Sequence, residues 1–128
     1  MARDARYDGL ADQYEAFVED DHSGVIALAT ATLLRLLDRG SGRCLDVGCG
    51  AGHVLPRLAE LGWTPVGIDE SHDMLERARR RAPQAETIQG DAVALPFPDG
   101  SFDAAVLRGS CTPTWPTFPL SSKRCVAC

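Results

Sequence analysis

The sequence predicts an α/β fold: the first half of a doubly wound sheet, with about four parallel strands and flanking helices. Three observations carry this expectation. Short apolar runs alternate along the chain with stretches of helical period. The run at Cys44, Leu45 and Val47 opens into alternate glycines, Gly48, Gly50 and Gly52, and then into a helical pattern. A second run, Thr64 to Asp69, ends on an acid 23 residues beyond Asp46, where doubly wound folds that bind nucleotides place a carboxylate for ribose hydroxyls.

Composition narrows the function. The chain has 128 residues, enough for one compact domain with a core. A formal net charge of −5 argues against nucleic acid as partner, because phosphate recognition needs clustered cations. A small molecule is the more natural ligand. The start, MARDARYDGL, lacks the basic-then-apolar layout of a signal peptide, and no apolar run approaches membrane-spanning length, so the expected location is cytoplasmic.

Taken in order, Tyr7 to Glu19 sets Tyr7, Leu10, Ala11, Tyr14, Phe17 and Val18 on one helical face. Ser23 to Arg39 forms a second, broadly apolar helix, with Ser23 as N-cap and Arg39–Gly40 as its stop. The central strand and glycine loop follow from Arg43. A dinucleotide loop, GxGxxG, would need its third glycine where His53 stands, so that match fails. A helix from His53 to Leu61 carries Pro56 in its first turn, which would set the loop amides at a helix N-terminus. Gly62 ends it and Thr64 to Asp69 is the second strand. The next helix, Ser71 to Ala82, has Ser71 as N-cap and Pro83 as its stop. Its last-turn arginines Arg79, Arg80 and Arg81 read as a solvated face complementing the dipole. Glu86 to Gln89 is a third strand, Asp99–Gly100 a turn, and Phe102 to Leu107 a fourth strand.

The pattern Asp46-x-Gly48-x-Gly50-x-Gly52 resembles motif I of the class I S-adenosylmethionine-dependent methyltransferases. The phrase GDAVALPFPDGSFDAAV, beginning at Gly90, is similar to that of the small-molecule group that includes enzymes of ubiquinone and menaquinone biosynthesis. With Asp69 between them, these stretches carry a resemblance over about residues 7 to 108. It implies a Rossmann-like fold, S-adenosylmethionine as cofactor, and methyl transfer to a small-molecule acceptor. It also implies a cofactor set of Tyr14, Asp46, Gly48, Cys49, Gly50, Asp69, Glu70, Met74, Asp91, Ala92 and Arg108. In the family the first acid lies near the methionine end of the cofactor. The strand-two acid meets the ribose, and the acid matched by Asp91 meets the adenine amino group, with the following amide on a ring nitrogen. Tyr14 stands either as a cover over the cofactor or as an amphipathic core residue. Met74 stands either against adenine or in the core. The resemblance singles out no catalytic base; His53 and Arg108 are the nearby polar candidates. The three histidines are scattered, and no metal set is expected.

Three segments follow: an N-terminal helical part, 1–42; the cofactor-binding core, 43–108; and an irregular tail rich in Pro, Ser and Cys, 109–128. The resemblance stops after Leu107. Pro113, Pro116 and Pro119 suit a polyproline segment, and Cys125-x-x-Cys128 suits a metal or redox pair. The reading preferred for the tail is a frame-shifted or prematurely ended methyltransferase, truncated at its C-terminus. On that reading strand four is left as a bare apolar edge, open to a partner chain. The alternative function is a truncated, non-catalytic S-adenosylmethionine-binding fragment or pseudoenzyme.

Overall fold

The computed structural model describes residues 9–20, 24–92, 94–107 and 125–127, with the side chains of residues 14, 15 and 125–127 outside that description. Within it run helices α1 (Ala11–Glu19) and α2 (Val25–Leu37), strand β1 (Arg43–Val47), helix α3 (Leu55–Glu60), strand β2 (Thr64–Asp69), helix α4 (His72–Arg81), and strands β3 (Glu86–Gln89), β4 (Ala104–Leu107) and β5 (Cys125–Ala127). The sheet has the order β3-β2-β1-β4-β5 and every pairing is parallel. The expected α/β, Rossmann-like architecture is the one observed.

β1 lies at the centre, with Asp46 beside Gly67 of β2 and Val106 of β4. Successive side chains of a strand point to opposite faces, and the core divides accordingly. Cys44, Ala104 and Val106 pack with Leu33, Leu37, Leu55, Leu58 and Ala78 of the helices. Leu45, Val47, Val66, Ile68, Ala105 and Leu107 pack on the other face with Phe102, Leu95 and Phe97. Phe102 anchors that second face. Phe97 meets it edge to face at 4.8 Å and the Arg43 guanidinium lies 4.8 Å from its centroid. An aromatic pair of this kind adds about 1 kcal/mol beyond area burial.

Several elements depart from the sequence expectation. α2 ends at Leu37, short of Arg39, because Asp38 turns to φ +63° and its carbonyl accepts the indole N–H of Trp63 at 3.1 Å. Gly24, at φ +70°, stands as its N-cap where Ser23 was expected; Ser23 lies outside the described residues. α3 begins at Leu55 instead of His53, since Gly52 N–H closes a turn onto Cys49 C=O before the helix can start. The helix therefore starts three residues beyond Gly52, and the loop amides expected at its N-terminus lie ahead of its first turn. The largest difference lies in the tail. Residues Cys125–Ala127 form β5, pairing in parallel with Ala105–Leu107. The edge of β4 is therefore covered by the chain itself, and the expectation of a bare β4 edge open to a partner is corrected. Pro113, Pro116, Pro119 and Cys128 lie outside the described residues.

Candidate functional site: the glycine loop and the acids at the strand ends

The loop from Gly48 to Gly52 is shaped by hydrogen bonds to its neighbours. The amides of Gly48 and Cys49 both donate to Ile68 C=O, at 2.8 and 3.0 Å, which carries the β1–β2 ladder past the end of β1. Gly50 N–H donates to Asp69 Oδ2 at 2.9 Å, and Asp69 Oδ1 accepts Ser71 N–H at 2.9 Å. The Asp69 carboxylate thus braces the loop on one side and the start of α4 on the other. Each oxygen keeps a further lone pair for a ligand hydroxyl.

The glycines divide by what surrounds them. A Cβ built on Gly50 (φ +55°) meets nothing within 4 Å, and the same holds for Gly48, so this side of the loop opens onto free space. At Gly52 (φ +82°) a Cβ would stand 2.8 Å from Ala78 Cα, so that glycine serves the packing of α4 on the loop. Cys49, between them, turns inward and is buried, its Sγ 2.8 Å from where a Gly67 side chain would begin.

The acids take different settings. Asp46 is fully buried in β1, two residues before Gly48. Burial, with the Asp46 charge second, pushes the neighbouring Cys44 thiol up to about 12, so Cys44 stays protonated. Glu70 lies on the surface, its carbonyl accepting Gln89 Nε2 at 3.1 Å. Burial, then the charges of Asp91 and Asp69 and a hydrogen bond with Asp91, raise its carboxyl above the usual range. Asp69, Glu70 and Asp91 therefore share the C-terminal edge of β2 and β3. Ala92 packs beside them under the second face of the sheet.

α1 covers this end of the molecule. Gly9 N–H donates to Asp73 at 2.6 Å and Arg77 pairs with Asp12, which ties α1 to α4. Beneath them Met74 is buried against Ala11 and Ala51, in the seam between helix and loop. Tyr14 falls on α1 within this cover. Arg108 lies outside the described residues. Arg79 and Arg80 stand on the exposed face expected of the arginine run, and Arg81 departs from it. Arg79 Nε donates to Thr87 Oγ1 at 2.9 Å and half-buried Arg81 donates to Ala51 C=O at 2.7 Å. These ties, and the α1–α4 links, were missed because they join residues far apart in sequence and leave no periodic signal.

A parallel sheet with β1 central, a glycine loop after it and an acid ending β2 define a nucleotide-binding α/β protein whose crevice lies at the strand ends. The family model described as "Methyltransferase domain" matches residues 44–123. Demethylmenaquinone methyltransferase of Renibacterium salmoninarum is 45% identical over 65 residues, 51% of this chain and 27% of that protein. The crystal structure of an S-adenosylmethionine-dependent methyltransferase from Mesorhizobium loti superposes with a TM-score of 0.52 at 31% identity, over 62% of this chain and 38% of that one. The [4+2]-cyclase SpnF superposes with a TM-score of 0.56 at 32% identity, over 64% of this chain and 33% of that one. The chain belongs to the class I S-adenosylmethionine-dependent methyltransferases, in the methyltransferase type 11, ubiquinone–menaquinone-like family. It spans about a quarter of the length of the Renibacterium relative.

The residues present fit that cofactor. Loop positions without side chains face open space, and a braced carboxylate at the end of β2 suits vicinal hydroxyls. Among the described residues no cluster of His, Cys, Asp or Glu could hold a metal ion, and no helix is long and apolar enough to cross a membrane.

Proposed function

We propose that this chain supplies the S-adenosylmethionine-binding half of an enzyme that methylates a small molecule in the cytoplasm. The observation that carries the reading is the joint placement of Asp69 and the loop: one carboxylate orders the Gly50 amide and the α4 start, while Gly48 and Gly50 leave the approach clear. When bound, the cofactor supplies an electrophilic methyl group on a sulfonium. The chain's own residues bind and orient. Asp69 accepts the ribose hydroxyls, Asp91 and the Ala92 amide meet the adenine edge, and Gly48, Cys49 and Gly50 admit the amino-acid arm close to the backbone. Asp46 adds a buried negative charge on the side of the positive sulfonium and ammonium, and Glu70 flanks the ribose. Tyr14 on α1, Met74 below it and Arg108 beyond β4 complete the set carried over from the family. Bringing acceptor and methyl group into line out of water supplies much of the rate in such a displacement, so the binding half can matter without a base of its own.

Calorimetric titration with S-adenosylhomocysteine tests this, with Asp69→Ala as control and circular dichroism to verify folding. Expected is micromolar binding that Asp69→Ala weakens at least tenfold. A folded chain that does not bind, or one that binds equally well without the Asp69 carboxylate, refutes the assignment.

A second reading is cofactor binding without methyl transfer. The likeness to SpnF, named as a [4+2]-cyclase, favours it, since a chain of this fold carries another chemistry. Binding with no methyl transfer from labelled S-adenosylmethionine to any phenol, amine or quinol offered would support it.

A further inference from the structure

We propose that Arg81 is a positioning residue for the glycine loop, fixing the orientation of the Ala51 peptide from the far end of α4. This rests on the cofactor reading above. The loop is held on both sides. Asp69 takes the Gly50 amide from the end of β2, and Arg81 Nη1 reaches across 30 positions of sequence to the Ala51 carbonyl at 2.7 Å. Between these two bonds α4 touches the loop at Met74 against Ala51 and at Ala78 against Gly52.

The geometry gives the contact a consequence for the ligand. A peptide's carbonyl and the amide that follows it point in opposite directions, so anchoring Ala51 C=O on Arg81 fixes Gly52 N–H, which closes the turn onto Cys49 C=O at 3.0 Å. Gly50 and Gly52 both sit at positive φ, where glycine has wide freedom. Without the guanidinium the Ala51 peptide can rotate, and its carbonyl can turn toward the open side of the loop, where it would repel the carboxylate of an amino-acid arm. Arg81 is half-buried and its bond is charge-assisted, the stronger kind. Arg79, two residues earlier, bonds only on the surface of β3 and has no part in this.

The test uses two readouts on the 128-residue chain. In the ligand-free protein, hydrogen exchange at the amides of Gly50 to Val54 is expected to quicken about tenfold in Arg81→Met and to return toward the original rate in Arg81→Lys. The affinity for S-adenosylhomocysteine should fall about tenfold in Arg81→Met, while 5′-methylthioadenosine, which lacks the amino-acid arm, binds as before. Arg79→Met should change neither. Unchanged exchange overturns the proposal, as does faster exchange with unchanged affinity, or an equal effect from Arg79→Met. A parent chain that binds neither ligand would overturn the cofactor reading instead, and the exchange result still decides the role of Arg81.

Discussion

Two substitutions, two residues apart in one loop, separate folding from ligand access. At Gly52 an added methyl meets Ala78 Cα at 2.8 Å and Ala78 Cβ at 2.9 Å, and φ is +82°. Backbone atoms of a packed helix cannot step aside as a flexible side chain can. The left-handed conformation costs an L-residue about 1–2 kcal/mol, and overpacking adds about 1–3 kcal/mol. Gly52→Ala should therefore cost roughly 2–5 kcal/mol, a large share of the roughly 5–15 kcal/mol that holds a domain together. At Gly50 φ is +55° but the methyl meets nothing within 4 Å, so Gly50→Ala should cost about 1–2 kcal/mol, from the backbone alone. That methyl points into open space, which on the proposed cofactor reading is the ligand's, so S-adenosylhomocysteine should bind at least tenfold more weakly. Urea unfolding and calorimetric titration of both variants give the two numbers. Equal destabilisation at the two sites would refute the division of the loop into a packing glycine and an access glycine. So would a Gly50→Ala variant that binds like the parent.

Two further predictions concern the elements on either side of the loop. Ser71 caps α4 by accepting Met74 N–H at 3.3 Å, so Ser71→Ala should cost about 1 kcal/mol, seen as a Tm lower by about 4 °C; an unchanged Tm would refute the cap. Cys44 ionises near 9.0 when exposed and near 12 in the folded chain, so above pH 9 the unfolded state loses a proton that the folded state keeps, and stability falls as pH rises toward 12. Cys44→Ala should remove that part of the loss between pH 8 and pH 10 in urea titrations, and parallel slopes for variant and parent would count against it.

The parts of the site that could be read from sequence are those whose signal is local. The glycine spacing after β1, the acid at the end of β2 and the Ser71 cap each depend on residues a few positions apart, and each stands where the pattern put it. Arg81 shows the limit. In sequence it is the last of three arginines at a helix end, a surface pattern; its bond to Ala51 exists because Gly52 lets α4 come within van der Waals contact of the loop. The links of Gly9 to Asp73 and Asp12 to Arg77 span 64 and 65 positions and leave no trace in periodicity. β5 was missed for another reason. Three residues, Cys125 to Ala127, are too few to show alternation, and only the exposed ladder of β4 gives them a strand to join. The start of α3 was misplaced because apolar spacing from His53 onward is helical, whereas the turn from Cys49 to Gly52 uses the backbone first.

The central position of β1 also sets the order in which chain entropy is spent. The tie between Gly50 and Asp69 closes a loop of 19 residues, whereas the tie between Arg43 and Asp103, where β4 joins the other flank of β1, closes one of 60. For flexible loops the difference is about 1 kcal/mol in favour of the shorter closure. The tie between the glycine loop and the end of β2 is thus the less costly contact to make, and both of its partners lie within the stretch from β1 to β2. The other flank of β1, where β4 pairs, depends on residues that arrive from a distance.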